Sequence, residues 1–120
     1  MQKIEVCFTP ALLDLYEIEE SIVVVIDVLR ATSSITYGME NGAVAIIPVM
    51  DVDDCKTYAQ TDYLLAAERN GEVVPGFDFG NSPFSYTREK VEGKTIVLTT
   101  TNGTKALRMA QERAYKVVVG

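Results

Sequence analysis

The 120-residue chain contains no histidine. That absence removes Ser-His-Asp and Cys-His catalysis, and any phosphohistidine chemistry. Cysteine is scarce as well: Cys7 and Cys55 fall on separate predicted elements and make no C-x-x-C pair. Two distant thiols without histidine give no ligand set for a structural zinc, and both read as small buried hydrophobes. No apolar run approaches the roughly 20 residues of a membrane span; Ile22–Ile26 is among the longest, so no membrane partner is expected. The opening residues, MQKIEV, lack the apolar region and cleavage site of a signal peptide, so the expected compartment is the cytoplasm. Positive charge is in deficit, with 11 Lys and Arg against 17 Asp and Glu and a net charge of −6. Nucleic-acid binding needs a basic face, and none is foreshadowed here. A small anion can still bind where Arg, Lys, a helix amino-terminus or a bound cation supplies local positive charge. The remaining repertoire is carboxylates, hydroxyls, Lys and Arg, backbone amides and a hard metal.

What is present is a globular composition, 48% hydrophobic and 23% charged, at the length of one domain able to bury a core. Short apolar runs recur at Ile4–Phe8, Ile22–Ile26, Ala45–Val49, Tyr63–Ala67, Thr95–Leu98 and Lys116–Val119. Several do not alternate, as in strands buried on both faces. Helical spacing lies between most of them. Thr32–Asn41 carries Ile35 and Met39 four apart and stops at Asn41-Gly42. Asp51–Gln60 begins with acidic residues and aligns Val52, Cys55 and Ala59. Thr104–Arg113 aligns Leu107 and Ala110, with Ala114 just beyond. The alternation predicts an α/β domain, three layers α/β/α, with a largely parallel sheet of about six strands. Residues 70–94 break the rhythm with Gly71, Pro75, Gly76, Gly80, Pro83 and Gly93. The aromatics there predict an ordered loop, with Ser82 capping a short helix that has Pro83 at its first position. The last apolar run ends the chain, as in the amino-terminal part of a longer protein. An exposed last strand would be free to pair with a second copy, giving a homo-oligomer.

Ligands collect at the carboxyl ends of parallel strands, and three loops there carry functional groups. Asp27–Ser34 combines a carboxylate at a strand end with Arg30 and with Thr32–Ser34 at a helix start. Glu68-Arg69-Asn70-Gly71 repeats the acid-then-arginine theme. Thr99–Lys105 offers hydroxyls, an Asn-Gly turn and a helix amino-terminus suited to an oxyanion cradle. Asp78 and Asn81 add polar groups that the long loop could bring over a ligand. Each place has a plainer reading: an Asp–Arg ion pair with a helix cap, a surface turn, an Asn-Gly turn capped by Thr104. The Thr99–Lys105 loop lacks Walker A spacing. Leu29 stands where haloacid-dehalogenase-type phosphatases need the second carboxylate of D-x-D-x-T.

The segments Val25–Ser33, Glu68–Gly71, Gly76–Pro83 and Leu98–Thr104 resemble, in order and spacing, the signature blocks of the 2-phosphosulfolactate phosphatase family. The resemblance implies Mg²⁺-dependent hydrolysis of 2-phospho-3-sulfolactate to 3-sulfolactate and phosphate, a step toward coenzyme M. It implies Mg²⁺ as cofactor and a small anionic phosphoester as substrate. Members of that family are longer, so residues 1–120 would form the amino-terminal half. Within the matching blocks, Asp27 and Glu68 are the expected catalytic residues and metal ligands, with Asp78 a further metal ligand. Arg30 and Arg69 would hold phosphate or sulfonate. Thr32, Asn81 and the turn Thr100, Thr101, Asn102, Gly103 and Thr104 would complete the substrate site. Direct attack by water and a phospho-aspartyl intermediate both stay open. Two other classes compete: a module that binds such a metabolite without turnover, and a purely structural domain whose acid–arginine pairs are ion pairs.

Overall fold

Strand and helix alternate along most of the chain, and each boundary has a local cause. The computed structural model describes residues 2–120. After a 3-10 turn at Pro10–Leu15 come β1 (Ile22–Val25), α1 (Ala31–Glu40), β2 (Ala45–Pro48), α2 (Val52–Lys56), β3 (Leu64–Arg69) and β4 (Glu72–Val73). A second 3-10 turn at Pro83–Ser85 precedes α3 (Arg88–Val91), β5 (Thr95–Thr99), α4 (Gly103–Gln111) and β6 (Lys116–Val119).

Helix α1 ends as its Asn-Gly pair predicts. Gly42 has φ of 95°, its amide donates to Met39 O, and Ala43 N donates to Gly38 O at 3.0 Å. These are the paired bonds of a Schellman stop, which glycine adopts without steric penalty. Helix α2 is capped by Asp51, whose Oδ1 accepts from Asp54 N at 2.8 Å. It closes at Lys56, well short of Gln60, because Thr57 and Thr61 turn their hydroxyls onto the carbonyls of Asp54 and Tyr58. Ala59 is therefore exposed, and Met39 is exposed at the far end of α1. Pro83 does open a short helical turn after Ser82, although the Ser82 side chain makes no capping bond.

The expected single sheet of about six strands is instead two sheets. One has the order β2-β5-β3-β4, and the other pairs β1 with β6. Strands β2, β5 and β3 run parallel, as do β1 and β6. Strand β4 is antiparallel to β3. The number of strands is six as expected, but their membership differs in two places. The Ile4–Phe8 run forms no strand; Ile4, Val6 and Phe8 stay exposed, and the segment is held by Tyr16 Oη donating to Val6 O at 3.0 Å. Meanwhile Asn70 (φ 54°) and Gly71 (φ 81°) make a two-residue hairpin turn that returns the chain as β4. Positive φ at both central residues is the type I′ pattern for which Asn-Gly is favoured.

Around β5 the three-layer arrangement holds. Ile96, Val97 and Leu98 are fully buried, each worth roughly 1.5–3 kcal/mol of apolar burial. Ile96 and Leu98 pack with Ile35 of α1, Leu107 of α4 and Tyr86, while Val97 packs with Leu65 and with Cys55 of α2. Cys55 is buried as expected, but Cys7 is only half-buried. Helices α1 and α4 each pack against both β2 and β6, so they join the two sheets. Arg113, just beyond α4, fastens the amino-terminal segment: it reaches Asp14 Oδ1 at 3.0 Å, Glu19 Oε1 at 3.1 Å and Tyr16 O at 2.8 Å. Among the described residues, no helix is long and apolar enough to cross a membrane.

Candidate functional site

The amino-termini of α1 and α4 converge on the loop that follows β1. A Cβ placed on Gly103 would lie 2.2 Å from Ala31 Cβ and 2.8 Å from Asp27 Oδ2. Only glycine permits α4 to start this close to a carboxylate. Asp27 is half-buried, and its carboxylate takes no hydrogen bond or ion pair among the described residues. Its backbone is fixed from both sides, with Asp27 N donating to Thr32 Oγ1 at 2.9 Å and Thr32 N donating to Asp27 O at 3.0 Å. Thr32, fully enclosed, thus acts on the position of Asp27 through the main chain. An anion near a helix amino-terminus is favoured by the unpaired amides and the helix dipole. Here the start of α4 lies against the Asp27 carboxylate and the start of α1 is bonded to the Asp27 main chain, an arrangement suited to a cation that also holds an anionic ligand.

The turn before α4 is stapled from within. Thr100 N donates to Thr104 Oγ1 and Thr104 N donates to Thr100 Oγ1, both at 3.1 Å, with both residues buried. These reciprocal bonds satisfy two amides that would otherwise be buried unpaired. The hydroxyls of Thr100 and Thr104 are therefore engaged in the turn, and Thr101 and Asn102 are the exposed residues at its tip. Asn102 precedes α4 without a side-chain cap bond.

The long loop is attached to α1 through buried contacts. Ser34 Oγ donates to the Asn81 carbonyl at 2.9 Å, and Tyr86 Oη donates to the Gly80 carbonyl at 2.8 Å. Asn41 Nδ2 donates to Tyr86 O at 2.8 Å. Tyr86 is fully buried, so desolvation pushes its hydroxyl well above the usual tyrosine range, against a smaller opposing pull from the Arg30 charge. The Arg30 charge is therefore felt at the Tyr86 hydroxyl. Arg30 makes no ion pair with Asp27 among the described residues. Among the described residues, two buried side-chain oxygens have no partner, Asn81 Oδ1 and Thr99 Oγ1. Such orphans are rare in folded proteins and often mark a missing water or ligand.

The other predicted residues are placed differently. Glu68 and Arg69 are not in a strand-to-helix loop but at the end of β3, entering the hairpin, paired with Val73 and Glu72. Strand alternation points them to opposite faces. Glu68 Oε1 accepts from Gly71 N at 2.7 Å, and Arg69 Nη1 donates to Glu68 O at 2.7 Å. Asp78 Oδ2 accepts from Leu65 N at 2.8 Å, where the returning loop adds beside β3. Among the described residues no three Asp, Glu or Cys side chains form a metal-binding group, so Asp27, Glu68 and Asp78 are not gathered into one set. The structure brings together Asp27, Thr32, Thr100, Gly103 and Thr104, with Arg30 and Asn81 linked through Ser34 and Tyr86. Ser34 and Tyr86 carry that link: Ser34 falls in the first of the three loops expected to bear functional groups, whereas the signal for Tyr86 is only an aromatic residue amid loop punctuation.

The geometry can be set beside known proteins. The family model described as 2-phosphosulpholactate phosphatase matches residues 7–120. A "Probable 2-phosphosulfolactate phosphatase" of Caldanaerobacter subterraneus subsp. tengcongensis is 48% identical over 108 residues, covering 87% of this chain and 44% of the relative. Proteins of the same name from Clostridium perfringens and Thermotoga petrophila are 43% and 51% identical, over 98% and 70% of this chain and 49% and 37% of theirs. The chain spans about half the length of the curated relatives it matches. With the match running through all of the loops described above, the chain belongs to the 2-phosphosulpholactate phosphatase family.

Proposed function

We propose that this chain contributes the phosphate-binding half of a phosphomonoesterase that hydrolyses 2-phospho-3-sulfolactate to 3-sulfolactate and phosphate in the cytoplasm, with Mg²⁺. The observation that carries the reading is the unpaired Asp27 carboxylate at the amino-termini of α1 and α4. The names of the relatives support the substrate class.

The donor set here fits a hard cation held in part by substrate. Mg²⁺ commonly takes one or two carboxylates, several waters and substrate phosphate oxygens. Asp27 is the residue that would hold it. Glu68 has one carboxylate oxygen committed to Gly71 N, and Asp78 has one committed to Leu65 N, so each is a weaker candidate. When bound, the ion would neutralise charge on the phosphoryl oxygens. The chain's own residues have separate tasks. The exposed turn at Thr101 and Asn102 would donate hydrogen bonds to an anion, while the Thr104 amide is already taken by Thr100 Oγ1. Thr100 and Thr104 keep that turn rigid. Arg30 supplies fixed positive charge for phosphate or sulfonate, where a guanidinium makes multidentate contacts. Asn81, held by Ser34, has a buried, unpaired Oδ1 that a water can satisfy.

The test is phosphate release from 2-phosphosulfolactate by a full-length family protein containing this sequence, with Mg²⁺ and with chelator. Release that stops with chelator supports the reading. Absence of release from folded protein supplied with Mg²⁺ would refute it.

A further inference from the structure

The two faces of the β1–β6 pair differ sharply. Val23, Val25 and Val117 turn inward and join the core formed with Ile35 of α1 and Leu107 and Ala110 of α4. The register pairs Ile22 with Lys116 and Val24 with Val118 on the other face. There Ile22, Val24 and Ile26 are 62%, 51% and 67% exposed. Three branched side chains two residues apart form one apolar strip on one strand. The four-stranded sheet has no such strip at its centre, because α2 packs on β3 and β5 and Cys55 seals that face against Val97 and Leu65. Among the described residues, nothing does the same for β1 and β6.

The composition of β1, Ile-Val-Val-Val, is that of a parallel strand covered on both faces. A water-facing strand of a one-sided sheet would alternate with polar residues. The relatives supply the missing length: each extends well beyond the portion matched, which is 44% and 49% of two of them. We infer that the Ile22–Val24–Ile26 strip is the seat of an amphipathic helix from the part of the family polypeptide that this chain does not match. That helix would complete the third layer over β1 and β6, as α2 does over β3 and β5, and would pack beside the loop that carries Asp27.

The test uses Val24→Cys in a Cys7→Ser background, read by the rate of thiol alkylation. Two proteins are compared: the 120-residue chain, and a chimera in which this chain replaces the portion it matches in the Caldanaerobacter relative. The expected result is fast labelling at position 24 in the short chain and labelling about tenfold slower or more in the chimera. Equal rates in the two, with buried Cys55 unlabelled in both, would overturn the inference. Slow labelling already in the short chain that speeds up on dilution would assign the strip to a second copy, and would overturn it too. If Cys55 labels in the chimera, that protein is unfolded and Val24→Lys in the short chain decides. An unchanged melting temperature there supports an uncovered face, and a clear drop means the strip is already packed, against the inference.

Discussion

Asp27 and Gly103 meet where β1 ends and α4 begins: a methyl group on Gly103 would sit 2.8 Å from Asp27 Oδ2 and 2.2 Å from Ala31 Cβ. Gly103→Ala must therefore push α4 away from the carboxylate or force Asp27 and Ala31 to move. Overpacking of this kind costs about 1–3 kcal/mol. The expected outcome is a lower urea midpoint and reduced phosphate release in the full-length protein. A variant that keeps both would show that the close approach is not needed.

The Thr100–Thr104 staple predicts a loss of a different origin. Thr104→Val keeps the volume but removes the hydroxyl that accepts from Thr100 N at 3.1 Å. A buried amide left without an acceptor costs about 1–3 kcal/mol. Thr104→Ser, which keeps the oxygen, should retain most of the stability. Chemical denaturation of the two variants side by side separates the lost hydrogen bond from lost packing.

At α2, Asp51→Ala removes the side chain that accepts from Asp54 N at 2.8 Å. N-cap loss typically costs about 1 kcal/mol. Asp51→Asn can still accept the bond and should be close to the parent. Equal melting temperatures for the Ala and Asn variants would contradict the capping role.

Alkaline pH should destabilise the fold through Cys55. Burial pushes its thiol up to about 11, while an unfolded cysteine ionises near about 8.5. Between those values the unfolded chain has released a proton that the folded chain keeps, so stability falls as pH rises. The contribution is complete below about 8.5 and is lost as pH climbs toward 11. Tyr86 is displaced upward by burial too and acts in the same sense. Urea midpoints from pH 8 upward should decline less steeply for Cys55→Ala than for the parent, without becoming flat.

Much of the fold was legible because local chemistry and tertiary context agree. The Asn41-Gly42 stop, the acidic start of α2, and the strands at Ile22, Ala45, Tyr63, Thr95 and Lys116 all appear within a few residues of expectation. Ile4–Phe8 reads as a strand because its apolar residues alternate, yet pairing needs a neighbour and this segment has none. The Asn70-Gly71 hairpin was legible in principle, since Asn-Gly before Glu-Val-Val is a strong turn signal. The plainer reading of Glu68-Arg69-Asn70-Gly71 as a surface turn is the one the hairpin bears out. Sheet order was out of reach, because which strands meet depends on contacts far apart in the chain.

The site was legible in part for the same reason. Residue types at strand ends pointed to Asp27 and to the Thr100–Thr104 turn. Their meeting depends on α1 and α4 starting side by side, which no local pattern encodes. Glu68 and Asp78 looked equivalent to Asp27 as carboxylates. Their hydrogen bonds to Gly71 N and Leu65 N set them apart, and only the structure reveals these bonds.

The most direct measurement is Mg²⁺-dependent phosphate release from 2-phosphosulfolactate by the full-length protein carrying Asp27→Asn. Asparagine preserves size and leaves the backbone bonds to Thr32 in place. The account predicts a folded protein with an unchanged melting profile and a loss of turnover of about a hundredfold or more. Turnover at the parent level, with the same Mg²⁺ dependence, would contradict the claim that this carboxylate is the centre of the site.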